Sequence, residues 1–232
     1  AAYKAGEFLK KEYSKKPEIE MMHGRDIKLK VDKVSETIIL DEICSHSALP
    51  FLSEESDFKG DLDDLSWVID PLDGSSNFFR KIPVCGISIA LINKKKAIVG
   101  VIYDFLNDNI YFASKDQGAF CNNKTLKVSD TSNSMKGTLM SGIPAKDSYS
   151  DQEFQNMIDD FQQWQKIRMI GSAAIANSFV ASGKADCYKE NGIFLWDVAA
   201  GSIIVEEAGG ASIISNMDKN FRVDAVFSNG NF

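Results

Sequence analysis

The stretch Trp67-Val68-Ile69-Asp70-Pro71-Leu72-Asp73-Gly74-Ser75-Ser76-Asn77-Phe78 decides how this chain is read. Its apolar start, Trp67–Ile69, predicts a short buried strand that delivers two carboxylates, Asp70 and Asp73, three residues apart. Pro71 interrupts regular strand or helix, which predicts a turn presenting both side chains and the Leu72 carbonyl. Gly74 lets backbone approach a ligand, and amides opening a helix after it make an anion site. Hard oxygen ligands beside N–H donors suit one task, holding Mg²⁺ against a phosphate.

Two further acidic segments can complete such a cage. Ser53-Glu54-Glu55-Ser56 follows the apolar Pro50–Leu52 and therefore sits at another strand end. Asp197, in Leu195-Trp196-Asp197, opens an apolar helix, where a carboxylate can cap the helix and bind metal at once. Asp32, within Lys28-Leu29-Lys30-Val31-Asp32-Lys33-Val34-Ser35-Glu36, stands just ahead of a helix. Each has a plainer reading: a charged loop edge for the Glu pair, a cap or a solvated turn for each Asp.

The chain has 232 residues, 44% of them hydrophobic, enough for a substantial core in one large domain or two intimate lobes. Its formal net charge is −7, and its longest basic run is Lys94-Lys95-Lys96, which disfavours a nucleic-acid partner. An anionic substrate then requires bound cations to reverse the local field. Cys44, Cys85, Cys121 and Cys187 are dispersed without a Cys-x-x-Cys pair, so free thiols and a cytoplasmic location are expected. Cys44 and His46 lack the second pair that zinc needs. No apolar run is long enough for a bilayer, so no membrane partner is expected. An EF-hand at Asp61 fails because its sixth position is Ser66, not Gly.

Periodicity predicts helices over 1–13 and 35–46, short strands over 49–52 and 67–69, and a mobile polar loop over 56–66. A meander follows, with strands at 85–93, 96–105 and 109–114 and a further hairpin after Gly118. Beyond a strand at 138–143 the pattern alternates: helix 151–164, strand 166–170, helix 172–182, strand 185–189, helix 197–208 and a last strand. The expected organisation is an N-terminal α+β lobe, 1–140, and a C-terminal α/β lobe, 141–232, forming one unit with the site at the seam.

Asp70-Pro71-Leu72-Asp73-Gly74-Ser75-Ser76-Asn77-Phe78 resembles the signature of the inositol monophosphatase family. Trp196-Asp197-Val198-Ala199-Ala200-Gly201, running to Glu207-Ala208-Gly209-Gly210, resembles its second signature. Ser53–Ser56 and Val31–Glu36 fall where that family places its other acidic motifs, and order and spacing agree over roughly residues 26–229.

The resemblance implies an α+β fold, a layered α-β-α-β-α sugar-phosphatase sandwich, usually a homodimer. It implies an Mg²⁺-dependent, Li⁺-sensitive phosphatase acting on a small sugar or polyol phosphate, inositol 1-phosphate first, with two or three ions per site. Glu54, Asp70 and the Leu72 carbonyl would hold the first ion. Asp70, Asp73 and Asp197 would hold the second, and Glu54 would lean on a weaker third. Ser75, where relatives usually have Thr, would orient the attacking water with Asp32, and the Gly74 and Ser75 amides would bind phosphate. Asp73, the turn Gly171-Ser172-Ala173 and Glu190 would meet the sugar hydroxyls, while Arg168 would be a buried structural partner.

Two departures stand out: Lys30 replaces a usual Thr, and Met21–Arg25 does not match the loop that carries a metal-proximal Lys. Ser76 argues against a nucleotide bisphosphatase, whose members often place Lys there. A fructose-1,6-bisphosphatase or dual-specificity enzyme is the nearest alternative and needs a cation for its second phosphate; Arg168, Lys184 and Lys189 are the candidates. Histidinol phosphate is a more distant substrate. A glycosidase would explain paired acids but not Gly74-Ser75-Ser76. A non-catalytic regulatory protein would not need every expected ligand.

Overall fold

The computed structural model describes residues 1–23, 26–56, 61–143 and 148–232. In chain order the elements are α1 (Ala2–Tyr13), β1 (Ile19–His23), β2 (Asp26–Leu29), α2 (Lys30–Cys44), β3 (Phe51–Ser53), β4 (Ser66–Asp73) and α3 (Ser75–Arg80). The meander follows: β5 (Gly86–Asn93), β6 (Lys96–Asp104), β7 (Asn109–Ser114), β8 (Ala119–Cys121) and β9 (Lys124–Thr125). The last part holds β10 (Thr138–Ser141), α4 (Asp151–Phe161), β11 (Lys166–Arg168), α5 (Ala173–Ala181), β12 (Cys187–Phe194), α6 (Leu195–Glu207), β13 (Ala211–Ser215) and β14 (Arg222–Ser228).

Strands β3 to β9 form a seven-stranded sheet in sequential order, antiparallel except for the parallel pair β3–β4. A five-stranded mixed sheet has the order β11-β10-β12-β14-β13. One face of the larger sheet is covered by α1 and α2, whose Ala5, Leu9, Ile39 and Ile43 pack on Ile69, Ile87 and Tyr103. Its other face is covered by α5 and α6, which also meet the second sheet through Tyr188, Ala225 and Phe227. Helix α6 is buried nearly all round, the pattern of a helix caught between two sheets. Helix α4 lies outermost, tied to the second sheet by an Asp160–Lys189 ion pair of 2.9 Å. The layers therefore run α-β-α-β-α.

The meander strands and the helix–strand alternation appear where the sequence pattern places them. Three differences have physical causes. Pro71 does not end its strand: β4 continues to Asp73 through a bulge, with Asp70 opposite Ser88 and Asp73 opposite Gly86. A bulge leaves residues outside the ladder, which is where a sheet accepts proline. Helix α2 begins at Lys30, five residues before the expected start, because Asp32 caps from inside its first turn. Strand β12 runs on to Phe194, carried by pairing with β14 rather than by local propensity.

The hairpin β1–β2 and the strand β13 carry no strong local signal and form by pairing. Of the Met21–Arg25 segment, residues 24–25 lie outside the described residues, as do 57–60 of the expected polar loop. All four cysteines are free, with Cys85 and Cys187 buried. Among the described residues no helix is long and apolar enough to cross a membrane.

Candidate active site

Strand β4 and helix α6 build the centre together. Asp70 and Asp73 leave the end of β4 on either side of the bulge, and Asp197 occupies the first turn of α6. These three residues each offer one carboxylate oxygen, and the oxygens lie within 4.8 Å of one another. All three are buried; Asp70 is only 1% exposed.

Local bonds fix each one. Asp70 Oδ1 accepts from the Leu72 amide at 2.9 Å, an arrangement the bulge makes possible. Asp197 Oδ2 accepts from the Phe194 amide at 3.2 Å. Asp73 Oδ2 accepts from the Ser172 hydroxyl at 2.5 Å and from the Ala174 amide at 2.7 Å, at the N-terminus of α5.

Burial, then the charges of Glu54, Asp197 and Asp73, push the Asp70 carboxyl far above the usual range. Burial and the charge of Asp73 raise Asp197 likewise. Asp73 rises only to about 6, because the Ser172 and α5 donors offset its burial. Several carboxylates at one buried point, each pushed toward its neutral form by burial, and Asp70 and Asp197 also by like charge, fit a divalent cation of the hard, oxygen-binding kind.

Glu54 lies outside that trio but beside it. Its amide donates to the Ile69 carbonyl at 3.3 Å, setting it next to Asp70. Burial and the charge of Asp197 raise its carboxyl. Its neighbour Glu55 turns to Lys28 on β2, at 2.8 Å, and Ser56 donates to Glu36 at 2.8 Å. The turn is thus pinned on both sides, and only Glu54 of the acidic pair faces the cluster's charges.

Asp32 is 2% exposed, and its Oδ2 accepts from the Leu29 amide at 2.7 Å. Its Oδ1 stands 3.2 Å from the Ser75 hydroxyl, which also reaches the Leu72 carbonyl at 2.9 Å. Burial lifts the Asp32 pKa to about 7, against the opposing pull of the Leu29 amide. Gly74 has φ +87°, and a Cβ there would stand 3.0 Å from the Val84 carbonyl. Only glycine fits that left-handed, crowded position.

Glu190, at the other side, is raised to about 7 by burial, against a 2.9 Å bond from the Tyr188 hydroxyl. It borders a cavity of about 190 Å³ between β12 and α4. Gly171, Ser172 and Ala173 come together beside Asp73. The Ser172 hydroxyl is committed there and also caps α5 by accepting from the Ile175 amide at 3.2 Å.

Asn77 is a residue the sequence reading gave no role. Its Nδ2 donates to the Val84 and Ile170 carbonyls, both at 2.7 Å, and so ties α3 to the turn carrying Gly171 and Ser172. Lys28 is another: it lies on β2, three residues ahead of the Val31–Glu36 motif, and pairs with Glu55. Arg168 is corrected: it is exposed, with Nη1 on the neighbouring Ile167 carbonyl at 2.8 Å, and is no buried partner. Its strand β11 is the edge of the second sheet, which leaves the side chain in solvent.

The model of the inositol monophosphatase family matches residues 1–223. The chain belongs to this family. Similar relatives include Nus factor SuhB from Pasteurella multocida (strain Pm70), 35% identical over 215 residues, covering 90% of this chain and 80% of that protein. Inositol monophosphatase 1 from Bos taurus is 36% identical over 190 residues, covering 78% of this chain and 67% of that protein. Among solved structures, extragenic suppressor protein suhB from Bartonella henselae superposes with a TM-score of 0.89 at 28% identity, over 99% of this chain and 91% of that one. Membership of the family supports a phosphatase, and the buried acidic trio is a candidate divalent-cation site.

Proposed function

We propose that this protein is an Mg²⁺-dependent phosphomonoesterase acting on a small sugar or polyol phosphate, with inositol 1-phosphate the leading substrate. The observation that carries this reading is the buried trio Asp70, Asp73 and Asp197, whose carboxylate oxygens lie within 4.8 Å of one another. In this reading Glu54, Asp70 and the Leu72 carbonyl hold one ion, Asp70, Asp73 and Asp197 a second, and Glu54 leans on a weaker third. When bound, the ions lower the pKa of an attacking water and stabilise the departing alkoxide.

The chain's own residues position and orient. The single Ser75 proton can go to the Leu72 carbonyl or to Asp32 Oδ1, and either choice leaves hydroxyl lone pairs to accept from a water. Asp32, with its pKa near neutrality, holds or releases a proton at that point. The Gly74 and Ser75 amides take the phosphate oxygens. Asp73, the Gly171–Ala173 turn and Glu190 accept or donate to the substrate hydroxyls. Catalysis is then mostly alignment and charge stabilisation.

Two of the three candidate cations for a second phosphate have other partners and the third is exposed. Lys189 is paired with Asp160, Lys184 lies over the Phe179 ring 5.0 Å from its centre, and Arg168 is in solvent. This supports a monophosphate of an uncharged alcohol over fructose 1,6-bisphosphate. A homodimer, Li⁺ sensitivity and a cytoplasmic location complete the reading. The name of the Pasteurella relative raises a second, protein-binding role, which a catalytic assay tests separately.

The experiment is a phosphate-release screen over inositol 1-phosphate, fructose 1,6-bisphosphate, histidinol phosphate and a nucleotide bisphosphate. Inositol 1-phosphate is expected to be cleaved best with Mg²⁺, not at all with EDTA, and less with Li⁺. Full activity in excess EDTA contradicts the reading.

A further inference from the structure

Ser88 lies on β5 directly opposite Asp70 on β4 and is 1% exposed. Its hydroxyl donates to the Trp196 carbonyl at 3.0 Å, across from the sheet to the first turn of α6. Trp196 immediately precedes Asp197. One hydroxyl therefore links the strand position facing the first member of the trio to the residue beside the last.

That link is not required to satisfy the helix. The Trp196 carbonyl stands in the α6 ladder, where the amide four residues on is its ordinary donor. Farther along, α6 approaches the sheet at Gly100, where a Cβ would stand 2.5 Å from the Ala200 carbonyl. Gly100 thus sets how close the helix comes, while Ser88 sets where its first turn sits. Inside that turn, Asp197 accepts from the Phe194 amide at 3.2 Å, longer than the donor contacts to Asp70 and Asp73 given above. Its place relative to Asp70 depends on how the whole turn is anchored.

We propose that Ser88 is a positioning residue of the metal centre: its bond to Trp196 holds Asp197 at the distance from Asp70 at which both can ligate one ion. The inference rests on the reading of the trio as a divalent-cation site. Mg²⁺ demands near-ideal octahedral geometry, and partners that orient ligands are each worth about 10–100-fold in affinity. A preset separation also removes part of the ordering cost that the ion would otherwise meet.

The test compares Ser88→Ala and the near-isosteric Ser88→Cys with Ser202→Ala. Ser202 is a buried serine on the same helix whose hydroxyl donates only within it, to Ala199 at 2.8 Å. Mg²⁺ affinity is measured by calorimetry on the full chain, alongside Tm with and without Mg²⁺ and the Mg²⁺ dependence of phosphate release. Ser88→Ala is expected to weaken Mg²⁺ binding about tenfold and to shrink the Mg²⁺-induced rise in Tm, with kcat at saturating Mg²⁺ within about threefold. Ser88→Cys, with its weak donor, should fall between, and Ser202→Ala should bind Mg²⁺ as the parent does. Parent-like affinity in both Ser88 variants overturns the positioning role and leaves the metal site standing. If the parent itself binds no Mg²⁺, the metal reading fails and this inference falls with it.

Discussion

The Ser172 hydroxyl donates to Asp73 Oδ2 at 2.5 Å while accepting from the Ile175 amide at 3.2 Å, so one side chain caps α5 and fixes a carboxylate of the trio. Ser172→Ala should lose both. Removal of a serine cap costs about 1 kcal/mol, which urea denaturation reads as a lower midpoint. Asp73 loses a donor that holds its pKa near 6, so its carboxyl should titrate higher in the metal-free protein. Ser172→Thr keeps the hydroxyl and should behave close to the parent in both measurements.

Asp70→Asn separates stability from function. Asp70 sits where three other carboxylates raise its pKa, so replacing it by a neutral amide relieves repulsion in the metal-free fold. The Asn oxygen can still accept the Leu72 amide. Phosphate release should fall at least about 10²-fold, as for loss of a group stabilising the reacting charge. Metal-free Tm at pH 8 should be no lower than that of the parent. A large drop in Tm would mean that Asp70 holds the fold rather than the reaction.

The dependence on pH follows from three raised carboxyls, Asp32 and Glu190 at about 7 and Asp73 at about 6. Their folded values exceed their unfolded ones, so their contribution to stability is complete below about pH 4. It is lost as pH rises through the folded values. Metal-free protein should therefore lose stability from these groups between about pH 4 and 7. Mg²⁺ favours the ionised cluster, so its stabilising effect should be larger at pH 8 than at pH 5. Differential scanning calorimetry with and without Mg²⁺ measures this; a Tm gain independent of pH would contradict it.

Close backbone contact on α6 gives a packing prediction. A Cβ on Gly201 would meet Asn177 Cβ at 2.6 Å, and one on Gly100 would meet Ala200. Gly201→Ala and Gly100→Ala should each destabilise by about 1–3 kcal/mol, the usual cost of overpacking. Because Gly100 sets the height of α6 over the sheet, its variant should also weaken Mg²⁺ binding, whereas Gly201→Ala faces α5 and should affect stability more than metal affinity.

Much of this site was legible because its residues carry strong local constraints. Asp70-Pro71-Leu72-Asp73-Gly74 shows its paired carboxylates and its glycine in the sequence, whereas the bulge that carries β4 through Pro71 reads there as a turn. The meander from β5 to β8 is rich in β-branched and aromatic residues and is bounded by turn residues. What stayed hidden depends on partners distant in sequence. Ser88 reads as one small residue in an apolar strand, and its bond to Trp196 spans 108 positions. Asn77 reaches Ile170 across 93 positions, and the length of β12 depends on β14. The Asp32 cap was misplaced for a local reason: a carboxylate in the third helical position looks, in sequence, like one standing before the helix.

The most direct test of the central claim is an anomalous-scattering measurement on crystals of this protein soaked in Mn²⁺, an Mg²⁺ substitute visible by X-rays. The account predicts a peak ligated by Asp70, Asp73 and Asp197, and a second between Asp70 and Glu54. Crystals of active protein that show no peak at the trio under saturating Mn²⁺ would contradict it.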